Sequence, residues 1–169
     1  MNLFLTDRSF SISVQELDYK RLIKQILECK TLLDICLGKK QGYKDHPVAV
    51  HYKNNPFNLA YYGLLACCEY EFRFTNGLTR HRYHEWFSDI ASEYFKTELF
   101  VPFYCEGKKD DPKHIRTTEN VYELFKEKLI KKWQSDKIPP KWTKRGMPLW
   151  YVWWLEKHQT NRPINEVVR

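Results

Sequence analysis

Apolar side chains recur every three to four residues in several stretches of the chain, which is the spacing of half-buried helices. The first such stretch covers residues 13–37, with the apolar positions Leu22, Ile23, Ile26, Cys29, Leu33 and Cys36. A Ser-x-x-Glu capping box, Ser13 with Glu16, predicts the start of this helix. Gly38 follows the stretch and suits a left-handed cap at its end.

Four further helices are predicted downstream. The second is apolar nearly all round, as expected of a central buried helix, and Asn55-Pro56 supplies its cap and first residue. The predicted ranges are 55–74, 79–95, 117–134 and a short last helix from Pro148, with long loops at 38–47 and 102–116. We therefore predict an all-α fold: residues 1–169 as one compact domain of about five helices around a central buried helix.

Composition narrows the class of protein. The formal net charge is +7, which favours a polyanionic partner such as DNA, RNA or a phosphate-rich nucleotide. No apolar run approaches the roughly eighteen residues of a membrane helix, and Asp7 in the short N-terminal stretch argues against a secretory signal. Five cysteines without CxxC spacing indicate reduced thiols, and hence a cytoplasmic protein.

The first helix also offers candidate chemistry. Arg21, Lys24, Gln25 and Glu28 share one face, because residues three and four apart stack on the same side of a helix. A carboxylate is thereby held beside two cations on a rigid element. A solvated stripe of ion pairs is the alternative interpretation of this face.

Cationic side chains recur in three later segments. The glycine-rich loop carries Lys44 and His46, the start of the third predicted helix carries Arg80 and Arg82, and Arg145 lies in the tryptophan-rich tail. These are candidate phosphate contacts. The tail's four tryptophans are more typical of core packing than of base stacking, although both remain open: Trp142, Trp150, Trp153 and Trp154.

His81 and His84 are three residues apart and could share a metal ion. No acidic or cysteine ligand lies at a recognisable spacing from them, so polar or phosphate contacts are favoured. We predict no metal and no cofactor.

Three stretches resemble the phage pyrimidine-dimer DNA glycosylase (endonuclease V) family and its small viral relatives. They are MNLFLTD with RLIKQILECKTLL, then GYKDHPVAVHY, and finally PKWTKRGMPLW, in this order over about 150 residues. The resemblance implies an all-α fold in which a long helix presents a glutamate beside the N-terminus. It also implies that the terminal amine attacks C1′ of a damaged nucleotide, forming an imine that leads to base loss and strand cleavage.

Carried onto this chain, the resemblance makes Glu28 the catalytic carboxylate and the Met1 amine the nucleophile. Arg21 falls where relatives often have a histidine, and Arg21, Lys24 and His46 could hold flanking phosphates. Asn2 is too bulky for efficient removal of the initiator, so Met1 is expected to remain. Leu27 and Thr31 stand where the best-known members have arginines.

Three functions therefore remain in view. The first is a viral glycosylase and AP lyase that acts on damaged DNA. The second is an inactive relative that sequesters a phosphate-rich nucleotide, such as a cyclic-nucleotide signal of host antiviral defence, in the same basic pocket. The third is a general nucleic-acid-binding accessory protein. No membrane is expected as a partner, and the protein would act in the host cytoplasm.

Overall fold

The computed structural model describes residues 3–53, 56–94, 104–105, 115–116 and 118–158. Its helices are α1 (Phe10–Gln15), α2 (Tyr19–Cys36), α3 (Pro47–Tyr52), α4 (Pro56–Phe74), α5 (His84–Tyr94), α6 (Thr118–Ser135) and α7 (Leu149–Lys157). Two short strands, β1 (Tyr104–Cys105) and β2 (Ile115–Arg116), pair antiparallel. This two-residue pairing is the only sheet among the described residues, so the predicted all-α class is confirmed. None of the described helices is both long and apolar enough to cross a membrane.

Helix α4 is central, as its apolar pattern predicts. It packs against α1, α2, α3 and α5, and its buried side chains point in several directions: Phe57, Leu59, Ala60, Tyr62, Ala66 and Cys67. Gly63 allows the closest approach, because a Cβ built there would lie 2.4 Å from the ring of Phe87 on α5. The close packing of α4 and α5 therefore requires a glycine at position 63.

The predicted first helix is two helices, and the predicted capping box is wrong. Helix α1 begins after Ser9, whose side chain accepts a hydrogen bond from the Ile12 backbone. Ser13 lies buried inside α1 and its Oγ accepts hydrogen bonds from the backbone N–H groups of Thr6 and Asp7, both at 3.1 Å. The hydroxyl expected to cap a helix thus binds the N-terminal segment instead.

Arg73 of α4 stabilises the break between α1 and α2. Its buried guanidinium donates to the carbonyls of Leu17 and Gln15, both at 2.6 Å, and to that of Val14 at 3.4 Å. Carbonyls at a helix end lack intrahelical partners, so a cation among them satisfies the groups that a continuous helix would have paired.

The third predicted helix begins later than expected, at His84 rather than Thr79. The backbone N–H of His81 donates to the Glu71 carboxylate at 2.7 Å, and that of Thr79 to the Thr75 hydroxyl at 3.4 Å. The side chains of Glu71 and Thr75, at the end of α4, thus accept hydrogen bonds from two backbone N–H groups. In the first turn of a helix these N–H groups would have no backbone partner. The predicted end at Phe95 lies outside the described residues. The other three predicted helices, α4, α6 and α7, begin within one residue of their predicted starts.

The tryptophan-rich tail packs mainly into the core. Trp142 is buried, and its ring lies 5.2 Å from that of fully buried Trp133. Trp150 and Trp154 pack partly against the same core, while Trp153 is 64% exposed. Core packing is therefore the outcome for three of the four tail tryptophans.

Arg21 joins α2 to the end of α6. Its guanidinium contacts the Asp136 carboxylate and lies 3.5 Å from that of Asp18. The side chain of Arg21 is only 7% exposed, so the alternative interpretation of this face as a solvated stripe of ion pairs does not hold for Arg21. The hydrogen bond from Arg21, with help from Lys20, lowers the pKa of Asp136 from 3.8 to about 2.

Replacing Gly63 by alanine should destabilise the fold, because the new methyl group would overlap the Phe87 ring. We expect the free energy of unfolding in urea to fall by about 1–3 kcal/mol. The double variant Gly63→Ala/Phe87→Leu should recover part of this loss. Gly42→Ala is the matched control, since a Cβ there meets no atom within 4 Å; an equal loss in that variant would contradict the packing argument.

The Arg21–Asp136 pair should make stability depend on pH. A depressed carboxyl pKa contributes stability that is fully present above about pH 3.8 and is lost as the pH falls through about 2. Asp136→Asn should therefore lower the free energy of unfolding by about 1–2 kcal/mol at neutral pH, and by progressively less on acidification. Urea unfolding across this range measures the difference, with the exposed Asp89→Asn as control. A difference independent of pH would exclude the ion pair as its cause.

Candidate functional site

The N-terminal segment, residues 3–6, lies in the core outside any helix or strand and is held by side chains. Leu3, Phe4 and Leu5 are buried. The backbone N–H of Phe4 donates to Gln25 Oε1 at 2.8 Å, and its carbonyl accepts from the Tyr62 hydroxyl at 2.7 Å. Gln25 from α2 and Tyr62 from α4 thus bind the N–H and the carbonyl of the same residue, Phe4.

The same glutamine also orients Glu28. Gln25 Nε2 donates to Glu28 Oε2 at 3.1 Å, and Lys24 Nζ lies 3.7 Å from Glu28 Oε1. The Glu28 side chain is 14% exposed and that of Lys24 is 59% exposed. Glu28 therefore lies at the boundary between core and solvent, one helical turn from the point where the N-terminal segment is bound.

Two buried groups beside this carboxylate stay protonated. Burial raises the pKa of the Cys29 thiol well above its ordinary value, and the charge of Glu28 raises it further. The pKa of Tyr62 is also well above its ordinary value, mainly through burial. Cys29 is therefore not a thiolate nucleophile, and Tyr62 acts as a hydrogen-bond donor.

The predicted cations do not all gather around Glu28. Lys24 lies beside it, whereas the guanidinium of Arg21 is occupied by Asp136 and Asp18. Met1, the predicted nucleophile, lies outside the described residues together with Asn2.

The glycine-rich loop and α3 form a second basic region. Lys44 is exposed and lines a surface pocket with Lys40 and Lys53. His46 caps α3, with its Nδ1 accepting from the Val48 backbone at 3.3 Å, and burial lowers its pKa. The imidazole therefore favours its neutral form and already serves the local fold.

The three remaining candidate cations have other neighbours. Arg145 binds Glu69 through Nε and Nη2 at 2.8 and 2.9 Å. Arg80 pairs with the exposed Glu85, and Arg82 lies 4.7 Å from the ring centre of Tyr83. Arg145 thus pairs from the protein surface with the buried Glu69, while Arg80 and Arg82 are exposed.

The sequence did not predict the roles of two residues of the site, Gln25 and Tyr62. Gln25 was visible as a polar residue three positions before Glu28, but nothing in the sequence shows that its amide also binds Phe4. Tyr62 lies within an apolar helix pattern and gives no signal of its own. Their roles depend on where the N-terminal segment docks, which is a tertiary feature.

Comparison with known proteins bears on the N-terminal half of the chain. The model of the family described as pyrimidine dimer DNA glycosylase matches residues 1–81, a range that contains Phe4, Gln25, Glu28 and Tyr62. No curated protein and no solved structure matches the chain. The family match supports a DNA-repair role of the glycosylase type. Over residues 1–81, just under half of the chain, it confirms the resemblance to the pyrimidine dimer DNA glycosylase family that was found in the sequence.

Proposed function

We propose that the protein is a DNA-repair glycosylase with AP lyase activity, which acts on damaged DNA through its N-terminal amine and Glu28. One observation carries this proposal. The Gln25 amide binds the Phe4 backbone with one end and the Glu28 carboxylate with the other. A single buried side chain thus couples the segment that leads to the amine with the candidate acid–base group.

Covalent geometry limits how far the amine can lie from Glu28. The amine of residue 1 is three residues before the fixed N–H of Phe4, a span of at most about 10 Å for an extended chain. Along α2, Glu28 is about 4.5 Å beyond Gln25, since a helix rises about 1.5 Å per residue. The carboxylate is therefore within reach of the chain end.

The proposed chemistry uses an amine that is partly neutral. An α-amino group has a pKa of about 7.7–8.0, so a fraction carries a free electron pair at neutral pH. That pair forms the N–C1′ bond, and the base leaves with the electrons of its glycosidic bond. Glu28 accepts the amine's proton. The C1′–O4′ bond of the sugar ring then breaks, O4′ takes up that proton as a hydroxyl, and the carboxylate stabilises the cationic imine that results. Loss of a C2′ proton then breaks the C3′–O bond, and hydrolysis of the imine returns the amine.

The surface around Glu28 shapes how DNA would be held. Lys24 pairs with the carboxylate, but its side chain is 59% exposed and so can also contact a phosphate, whereas Leu27 is a 43% exposed apolar side chain on the neighbouring surface. Because Leu27 and Thr31 supply no charge, we assign more of the phosphate binding to Lys24 and to the lysines near Lys44.

Lys24→Ala should weaken DNA binding without unfolding the protein, because the side chain is 59% exposed. We expect lower affinity for an abasic-site duplex and a salt dependence reduced by about one unit of log–log slope. Fluorescence anisotropy at several salt concentrations measures both. Lys157→Ala, an exposed site on α7, is the control. Affinity that does not change with salt would point instead to stacking or to a protein partner.

The imine itself provides the direct test of catalysis. Borohydride should trap a covalent adduct between the protein and an abasic or pyrimidine-dimer duplex. Acetylation of the N-terminus should abolish the adduct, since it removes the nucleophile. Glu28→Gln should lower base release by about 100-fold or more, because an amide cannot accept the proton.

Glu156→Gln, an exposed carboxylate on α7, is the matched control and should retain full activity. Failure to trap an adduct on any lesion would refute the glycosylase. Recovery of an intact nucleotide from denatured, nucleotide-loaded protein would then identify a sequestering relative instead.

A further inference from the structure

Three potential metal ligands converge where α4 meets α5. Cys68 and Glu71 lie three residues apart on one face of α4, and His84 is the first residue of α5. One ligand atom from each of the three lies within 4.8 Å of the other two. His84 Nδ1 and Glu71 Oε1 are already 2.8 Å apart.

We propose that Cys68, Glu71 and His84 form a binding site for a divalent transition metal of the zinc type. A sulfur, an oxygen and a nitrogen ligand are the donors that zinc accepts, and three protein ligands leave a fourth tetrahedral position for water or another ligand. Calcium and magnesium favour all-oxygen sites and fit this donor set poorly.

The surroundings preorganise the three groups. The backbone N–H of His81 donates to Glu71 Oε1 at 2.7 Å, which fixes the carboxylate. Hydrogen bonds to a ligating carboxylate are the usual support for a metal site. The side chains of His84 and Glu71 are 16% and 10% exposed, and Cys68 is open to solvent. An ion can therefore enter from solvent and reach a partly enclosed position.

Binding requires small changes in bonding. The Cys68 thiol loses its proton to solvent, because the thiolate is the ligand. The present hydrogen bond between His84 and Glu71 is replaced by bonds from both side chains to the ion. Burial and the charge of Glu71 raise the pKa of Cys68 and Arg80 opposes them, so the positive charge of a bound metal would favour the thiolate further.

This site is separate from the one around Glu28. Tyr62, which binds the N-terminal segment, is six residues before Cys68 and nine before Glu71 on α4, or about 9 and 13.5 Å along the helix. A metal here would join α4 to α5 and fix the connection that carries Arg80 and Arg82. Its effect would therefore appear in stability, independently of base excision.

The test uses the full chain in reduced, metal-free form. Isothermal titration with Zn²⁺ should show one equivalent bound, and the thermal midpoint should rise by about 5–10 °C at a hundredfold excess of zinc over Kd. Co²⁺ should give a thiolate charge-transfer band in the near ultraviolet. Cys68→Ser and His84→Gln should each weaken binding by about 100-fold, and Cys68→Ser should remove the band.

Cys36→Ser is the matched control, since Cys36 is a free thiol at the end of α2, away from this cluster. It should bind zinc as the unaltered chain does. The absence of saturable binding would overturn the proposal, as would binding that survives Cys68→Ser and His84→Gln or that is lost equally in Cys36→Ser. Midpoints of the metal-free variants show that they are folded, and either ligand variant that folds decides the question.

Discussion

A buried chain segment that joins no sheet must find side-chain partners for its peptide groups, and this requirement organises the N-terminal part of the protein. An unpaired buried N–H or carbonyl is costly, so each needs a partner. Gln25 accepts a hydrogen bond from the Phe4 N–H and Tyr62 donates one to the Phe4 carbonyl. The Ser13 hydroxyl accepts hydrogen bonds from the N–H groups of Thr6 and Asp7. The positions of α1, α2 and α4 are thereby tied to one segment. The candidate site inherits its geometry from this arrangement, because Gln25 also binds Glu28.

Three arginines of the chain are paired within the fold. Arg73 is buried against Glu69 and the carbonyls at the end of α1, Arg145 shares Glu69, and Arg21 binds Asp136. Breaking such a pair leaves an uncompensated buried charge, so turning one of these side chains outward to bind a ligand would cost folding free energy. The net charge predicts a polyanionic partner, but these three cations are already paired within the fold.

Sequence patterns predicted the helices better than the site. The apolar pattern of α4 and the proline at its start fix its position, because both act locally. The capping-box prediction was wrong because the Ser13 hydroxyl instead accepts a hydrogen bond from the backbone of the N-terminal segment, seven residues earlier. Cys68, Glu71 and His84 could not be recognised as neighbours, since a turn between two helices brings them together. Glu28 stays a predicted site residue: helical spacing places it on a polar face, and the resemblance adds the acid–base role.

The contact between Gly63 and Phe87 has a consequence for how such proteins can diverge. A side chain at position 63 would occupy space that the aromatic ring already fills. The two positions therefore share one fixed volume between α4 and α5. Related chains with a larger residue at the first position should carry a smaller one at the second, so that the pair changes together through coupled substitutions.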